Sequence, residues 1–307
     1  MTTIKLSVVI VSWNTRDLLA GCVESLLNDP AALELEILVV DNASKDRTVV
    51  MLHERYPQVE VIECQRNVGF ARANNLGIRR STGEYVLLLN PDTEVDPGAV
   101  AVLLDFLVSN PGVGAVGPRI LNPDGSLQYS CSPVPTLKRE FRRLFHLPGI
   151  RHDGNYEMQN WDQDRPHPTD VLLGACIMLP RPALEQVGFM DEDYFMYTEE
   201  TDLCYRLKRT GWQLFWLPTA QVVHFGGQST KQAAREMFLR LYQSKTLFFR
   251  KNYGVFTAFI YKLLLFSVSL SRVLLTPIAW LQPSVQRQKT LSQARNYLSL
   301  FLALPGM

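Results

Sequence analysis

Apolar residues in the first part of the chain come in short, unbroken runs. Leu6 to Ser12 (LSVVIVS), Glu36 to Asp41 (EILVVD) and Tyr85 to Leu89 (YVLLL) have almost no polar alternation. Such runs predict strands covered on both faces, the habit of parallel sheets. Helical spacing fills the gaps: Thr15 to Leu27, about Asp46 to Arg55, and Phe70 to Arg80 after the opening Asn67-Val68-Gly69. With a strand at Val59 to Glu63, the alternation predicts βαβ units. The expected fold class is α/β, a doubly wound, mostly parallel sheet flanked by helices. Pro97 to Ser109 adds a helix and Gly114 to Pro118 a short strand.

Regularity fades from Asn122 to Thr169, where prolines, an Asn-Pro-Asp-Gly turn and the basic cluster Lys138, Arg139, Arg142, Arg143 occur. This stretch is expected to be a long excursion over the site, either touching an acceptor or closing as a lid. A surface loop carrying a solvated basic helix is the alternative. Order returns with a strand at Asp170 to Leu179, a helix begun by Pro182, and a loop over Phe189 to Tyr197. A helix from about Glu199 to Thr210, strands at Gln213 to Leu217 and Gln221 to His224, and a long basic helix from Lys231 to Lys251 follow.

The last part changes character. Val255 to Leu281 is almost uniformly apolar, and at about 100° per residue its Lys262, Ser269, Arg272 and Thr276 share a stripe about 80° wide. That pattern predicts a helix lying at a membrane interface. A simple span would put Arg272 in hydrocarbon at about 2.5–3.5 kcal/mol. A spanning or re-entrant hairpin ended by Pro277 and a packed soluble helix are the alternatives. Tyr297 to Leu304 forms a second, shorter apolar patch.

Composition narrows the function. The 307 residues, 47% of them hydrophobic, suffice for one large α/β domain with an appendage or for two domains. Basic and acidic residues nearly cancel, 31 against 30, which argues against a nucleic-acid surface. The five cysteines form no CxxC pair and suit apolar filling in a reducing compartment. Lys5 followed directly by a strand-like run is not the layout of a cleaved signal, so the bulk of the chain is expected to be cytoplasmic.

Candidate chemistry gathers at the predicted strand ends. The run Tyr85 to Leu89 stops at Asn90-Pro91-Asp92; proline ends the ladder, and the carboxylate projects from the edge where open α/β sheets bind ligands. There it could hold a divalent cation bridging a diphosphate. Asp41 also ends a strand, placed for hydrogen bonds from a base or ribose, or simply for the amides of the following helix. Glu199, Glu200 and Asp202 crowd one helix start in YTEETDLCYRL; a dipole complement needs fewer, and like-charge crowding raises a pKa as a general base requires. His224 ends a strand before Phe225-Gly226-Gly227, where metal ligation competes with a structural role.

Taken together, SVVIVSWNTRDLLAGCVESL, VVDNASKDRT, NVGFARANNLGI, YVLLLNPDTEV and YFMYTEETDLCYRLKRTGW resemble a family 2 glycosyltransferase with the GT-A fold, and within it the bacterial rhamnosyltransferase-like branch. The blocks run in order from Leu6 to about His224. The resemblance implies a GT-A catalytic domain over residues 1–250, with a donor-binding half to about 118 and an acceptor and base half beyond; the apolar pattern that follows marks 251–307 as a helical membrane-associated tail. It also implies roles: Asp41 for the base of the nucleotide, and Asn67, Gly69 and Arg72 for the nucleotide-sugar pocket. Asn90 and Asp92 would stand in the DxD motif, with His224 as a further metal ligand and Glu200 as catalytic base. Two departures stand out: Asn90 replaces one DxD carboxylate, and a glutamate occupies the base position, which leaves Glu199 or Asp202 open for that role. No QxxRW motif is present, which favours transfer of one sugar per encounter.

The implied activity is inverting transfer, with Mg2+ or Mn2+, from a nucleotide-sugar such as dTDP-rhamnose to a lipid-linked or cell-envelope glycan acceptor. It would occur at the cytoplasmic face of the inner membrane, with the chain peripheral or monotopic and its oligomeric state open. Two other classes remain at this stage. One is a non-catalytic scaffold of glycan assembly. The other is a sugar nucleotidyltransferase, against which SWNTRDLL stands where a GxGTR-type loop belongs; the absence of GxGxxG likewise disfavours a dehydrogenase.

Overall fold

The computed structural model describes residues 6–29, 35–147, 154–227, 233–277 and 283–307. Lys5, the Lys231 start of the long basic helix and the Leu281 end of the apolar run lie outside them. The chain forms two compact units, one of residues 1–134, 155–195 and 199–232, the other of 135–154, 196–198 and 233–307.

The first unit begins with the predicted alternation: β1 (Leu6–Ser12), α1 (Arg16–Leu27), β2 (Leu35–Asp41), α2 (Thr48–Arg55), β3 (Glu60–Glu63), α3 (Phe70–Arg80) and β4 (Tyr85–Leu89). It continues with β5 (Thr93–Val95), α4 (Ala99–Ser109), β6 (Val113–Leu121), β7 (Leu127–Gln128) and β8 (Cys131–Ser132). After an excursion into the second unit come β9 (His167–Pro168), β10 (Val171–Leu172), β11 (Cys176–Pro180), α6 (Arg181–Val187), α7 (Glu199–Arg209) and β12 (Gln213–His224). The main sheet has the order β3-β2-β1-β4-β11-β6-β12-β5. It is mixed. β3, β2, β1 and β4 run parallel, β11 is antiparallel to β4 and β6, and β12 runs parallel to β6.

The unbroken runs are explained by cover on both faces. Val8, Ile10, Leu87 and Leu89 point into one core with Leu19, Val23 and Leu103 of the α1 and α4 layer. Their neighbours Val9, Val86 and Leu88 point into the other core, with Ile78, Leu184 and Leu203 from α3, α6 and α7. Successive strand residues face opposite ways, so both parities must be apolar. The helix α3 approaches closely because residue 77 is glycine: a Cβ there would stand 2.4 Å from Val9 Cγ1.

Two expectations are corrected. Asp170 to Leu179 is not one strand: β10 pairs with β8 in a separate small sheet, and the chain crosses at 173–175 into β11. Conversely, Gln213 to His224 is one continuous strand. A register shift between Leu217 and Gln221 absorbs Pro218, which would otherwise break the ladder.

The second unit contains α5 (Leu137–Leu144), α8 (Ala234–Tyr253), α9 (Val255–Leu274) and α10 (Ser284–Ala303). Its core joins Leu144, Tyr242, Phe249, Tyr261, Leu265, Val268 and Leu300. The basic stretch over 138–143 is therefore not a wholly solvated helix. Glu140 is buried within this unit and accepts from Lys245 Nζ at 2.8 Å, from Arg143 at 2.7 Å and from the Tyr261 hydroxyl at 3.2 Å.

On α9, Ala258, Tyr261, Leu265, Val268 and Ser269 are buried, whereas Val255, Phe256, Phe259, Leu263, Phe266, Leu270 and Leu274 are exposed. At about 100° per residue the exposed set occupies an arc about 100° wide. The polar stripe read from the sequence lies on the packed side: Ser269 is fully buried, Lys262 donates to the Met307 carbonyl, and Arg272 sits 6.0 Å from the Tyr297 ring centroid. By length and composition α9 could cross a membrane.

Burial opposes ionisation of Glu140, but Lys245 and Arg143 more than offset it and pull the carboxyl down to about 2. A folded-state value below the unfolded one gives stability that is present above the ordinary carboxylate range and lost as pH falls towards 2. Glu140→Gln should therefore cost about 3–5 kcal/mol at neutral pH, since it strands two cations. It should also flatten the loss of stability between about pH 4.5 and 2. Denaturant titrations at neutral and acid pH check both; equal stability of the two proteins at pH 7 would refute the pairing.

Candidate functional site

Parallel strands that start in register also finish together. Ser12 of β1 pairs with Asp41 at the end of β2, and Ile10 pairs with Leu89 at the end of β4. With strands about 4.8 Å apart, the two ends lie roughly 10 Å apart on one rim of the sheet. There the Asn90 amide donates to the Ala175 carbonyl at 2.9 Å, and the chain turns at Pro91 into β5. Because β5 pairs with the end of β12, His224 comes opposite Thr93, and the Phe225 amide donates to the Asp92 carbonyl at 2.9 Å.

Asp92 and His224 are thus brought together. Both are buried, and His224 Nε2 lies 3.3 Å from Asp92 Oδ1. The imidazole tautomer follows from its other nitrogen. Gln128 Nε2 donates to Asn122 Oδ1, so Gln128 Oε1 is the atom facing His224 Nδ1 at 2.6 Å, and Nδ1 must carry the proton. In the neutral ring Nε2 then presents a lone pair towards a carboxylate oxygen. Nε2 is buried and makes no hydrogen bond among the described residues. A proton on Nε2, or a cation between the two, satisfies both acceptors. These donors fit a divalent ion that takes its remaining ligands from phosphate and water. Among the described residues no group of three or more His, Cys, Asp or Glu side chains is placed to hold a metal. The Asn90 Oδ1 is buried without a partner among the described residues.

At the neighbouring strand end Asp41 is buried; Oδ2 accepts from the Ser44 amide at 3.0 Å, while Oδ1 has no partner among the described residues. A buried, orphaned acceptor is costly unless something donates to it, as the N–H of a base would. Asn42 was not singled out in the sequence, yet it organises this corner. Its amide donates to Asn67 Oδ1 at 3.0 Å and to the Gly69 carbonyl at 3.3 Å, and its Oδ1 accepts from the Val68 amide at 2.8 Å. Asn67 is thereby committed to shaping the loop, and it also takes the Gly69 amide. Gly69 has φ +89°, and a Cβ there would lie 2.6 Å from the Phe195 carbonyl oxygen, which accepts from the Phe70 amide at 2.7 Å. Only glycine serves in such a position. Arg72 is about half exposed and faces Glu192 at 3.7 Å.

The acidic group follows Phe195 closely. Tyr197 and Thr198 both adopt left-handed φ, 68° and 71°, immediately before α7; non-glycine residues pay for that conformation, and such strain gathers at functional sites. The three carboxyls then part company. Asp202 is buried and bound, with Oδ2 2.7 Å from Arg206 Nε and Oδ1 accepting from the Tyr194 hydroxyl at 3.4 Å. Glu199 is buried, its Oε2 unpartnered among the described residues, and burial first, then the neighbouring Glu200, pushes its carboxyl well above the ordinary range. Glu200 is half-buried and packs beside Gly174, whose neighbour Ala175 receives the Asn90 amide. The crossing at 173–175 therefore links the Asn90 turn to the acidic helix, just as Gly69 and Phe195 link it to the Asp41 corner. Neither Gln128 nor Gly174 carries a local signal that would have marked it in the sequence.

Comparison with known proteins agrees with this architecture. The family model for Glycosyl transferase family 2 matches residues 7–188. An N-acetylglucosaminyl-diphospho-decaprenol L-rhamnosyltransferase of Mycobacterium tuberculosis is 34% identical over 211 residues, covering 64% of this chain and 68% of that protein. The mannosyltransferase PcManGT from Pyrobaculum calidifontis, solved with GDP-Man and Mn2+, superposes with a TM-score of 0.58 at 17% identity over 97% of this chain and 86% of its own. GalNAc-T7, solved with UDP, GalNAc and Mn2+, gives 0.56 at 17% identity over 73% of this chain and 44% of its own. The structural neighbours establish the GT-A fold. With more than half of its length matched by the family and a relative above 30% identity spanned over two thirds, this chain belongs to glycosyl transferase family 2.

Proposed function

We propose that this glycosyltransferase moves one sugar per encounter, with inversion, from a nucleoside diphosphate sugar to a lipid-linked or cell-envelope glycan acceptor. The observation that carries the reading is the gathering of Asp41, the Asp92–His224 pair and the Glu199–Glu200 pair at one rim of one sheet. Similarity to the mycobacterial enzyme supports a rhamnosyl donor, dTDP-rhamnose, and a diphospholipid acceptor. The exposed apolar stripe of α9 supports attachment at the cytoplasmic face of the inner membrane, as a helix lying in the interface.

Each residue has a task in this reading. Asp41 Oδ1 accepts an N–H of the base, and the Asn67–Gly69 turn shapes the pocket beside it. Asp92 and His224 would hold Mg2+ or Mn2+, the imidazole favouring manganese; when bound, the ion neutralises charge developing on the departing diphosphate. Glu199 retains its proton because burial and its neighbour disfavour a second charge, which leaves Glu200 as the base. Glu200 takes the proton of the acceptor hydroxyl as that oxygen attacks the anomeric carbon. The bond to the diphosphate oxygen breaks on the opposite face, the nucleoside diphosphate leaves, and a single displacement inverts configuration. Asp202 keeps the helix in place through Arg206.

Three outcomes are expected. Glu200→Gln should lower turnover by about 10²–10⁴-fold with donor affinity unchanged, read by nucleoside diphosphate release and by calorimetry; full activity would remove Glu200 from the mechanism. Asp92→Asn and chelation should each abolish metal-stimulated turnover, and unaltered rates in chelator would refute the cation site. Release of nucleoside diphosphate from no donor in a panel would instead favour the non-catalytic scaffold. The third outcome concerns stability. A carboxyl whose folded pKa is raised destabilises the protein as pH climbs above the unfolded value, so Glu199→Gln should melt higher than the parent at neutral and alkaline pH and converge with it near pH 4. A lower melting point at pH 8 would show that Glu199 is ionised.

A further inference from the structure

The second unit contains a cavity of about 550 Å³ formed by α8, the start of α9 and residues 306–307. That volume is in the range of small-molecule sites. Three cations line it, Arg240, Arg250 and Lys262, and none of the described lining side chains is acidic. Arg240 reaches Glu236 one turn earlier at 3.4 Å, and Lys262 is tied to the Met307 carbonyl. Among the described residues Arg250 has no hydrogen-bond or ion-pair partner. The remaining wall includes Val255 and Phe259, the first turns of the outward apolar stripe.

The two halves of the lining decide the class of ligand. A water-soluble anion would leave Val255 and Phe259 uncovered, and a neutral lipid would leave Arg250 unmatched. An amphiphile with an anionic head answers both. We propose that the cavity seats the phosphate headgroup of an anionic membrane lipid, with the acyl chain running along the exposed face of α9. The proposal rests on the interfacial reading of α9 and adds a specific headgroup site to it, where Arg250 supplies a charge that no described residue neutralises.

Full-length protein sedimented with vesicles tests the site. Phosphatidylcholine doped with phosphatidic acid should bind it roughly tenfold or more tightly than phosphatidylcholine alone, at about fivefold per cation near an anionic surface. Arg250→Gln should remove about fivefold of that gain, whereas Arg295→Gln, an exposed cation of the same unit outside the cavity, should not. Equal binding to both vesicles, or equal losses from the two variants, would overturn the headgroup site while leaving the interfacial helix intact. Binding to neither vesicle would overturn both. Dihexanoyl phosphatidic acid should raise the melting temperature; an equal rise with inorganic phosphate would assign the cavity to the free anion and overturn the lipid.

Discussion

A sheet buried on both faces leaves its chemistry one place to go. In the first unit each strand residue of β1, β2 and β4 must be apolar or hydrogen-bonded, because helices cover either parity. Polar side chains that must meet a ligand can stand only where the strands stop. The parallel register makes the strands stop together, and the antiparallel pairing of β5 with the end of β12 brings a histidine to the same rim. The acids reach the rim by a second route, through the close approach of Gly69 to the Phe195 backbone and the packing of the Glu200 side chain beside Gly174. Rigid strands and tight turns thus fix groups that are far apart in the chain.

The first half of this architecture was legible in the sequence because its rules are local. A short run such as YVLLL announces a strand with both faces covered, and Asn90-Pro91-Asp92 announces its end. The residues picked at those ends, Asp41 and Asp92, are found at the rim, and His224 is found beside Asp92. The positions that escaped notice depend on partners distant in sequence. Gln128 matters only because a strand pairing sets it against His224, and Asn42 only because it bridges to a loop many residues on. The split at 173–175 and the unbroken β12 were misread for the same reason: a ladder partner, rather than the strand's own residues, decides where a strand continues.

Charge behaves differently at two of the places where acids are buried. Glu140 is surrounded by Lys245, Arg143 and the Tyr261 hydroxyl, so its ionised form is favoured and it serves packing. Burial and the neighbouring Glu200 both oppose a charge on Glu199, so its neutral form is favoured. Asp202, three positions on, is paired with the Arg206 guanidinium at 2.7 Å and anchors the helix. Composition alone would not separate the three. Their partners do, and the partners come from the turn of the helix and from neighbouring elements.

The seating of α9 carries one more implication. Its basic residues are turned inward and secured, Lys262 on a backbone carbonyl and Arg272 over the Tyr297 ring, while Tyr261 and Leu265 lock into the unit's core. The helix therefore cannot roll about its axis without tearing these bonds. Any oily phase that meets it meets the same seven side chains, and the orientation is chosen by the protein before a bilayer has any say.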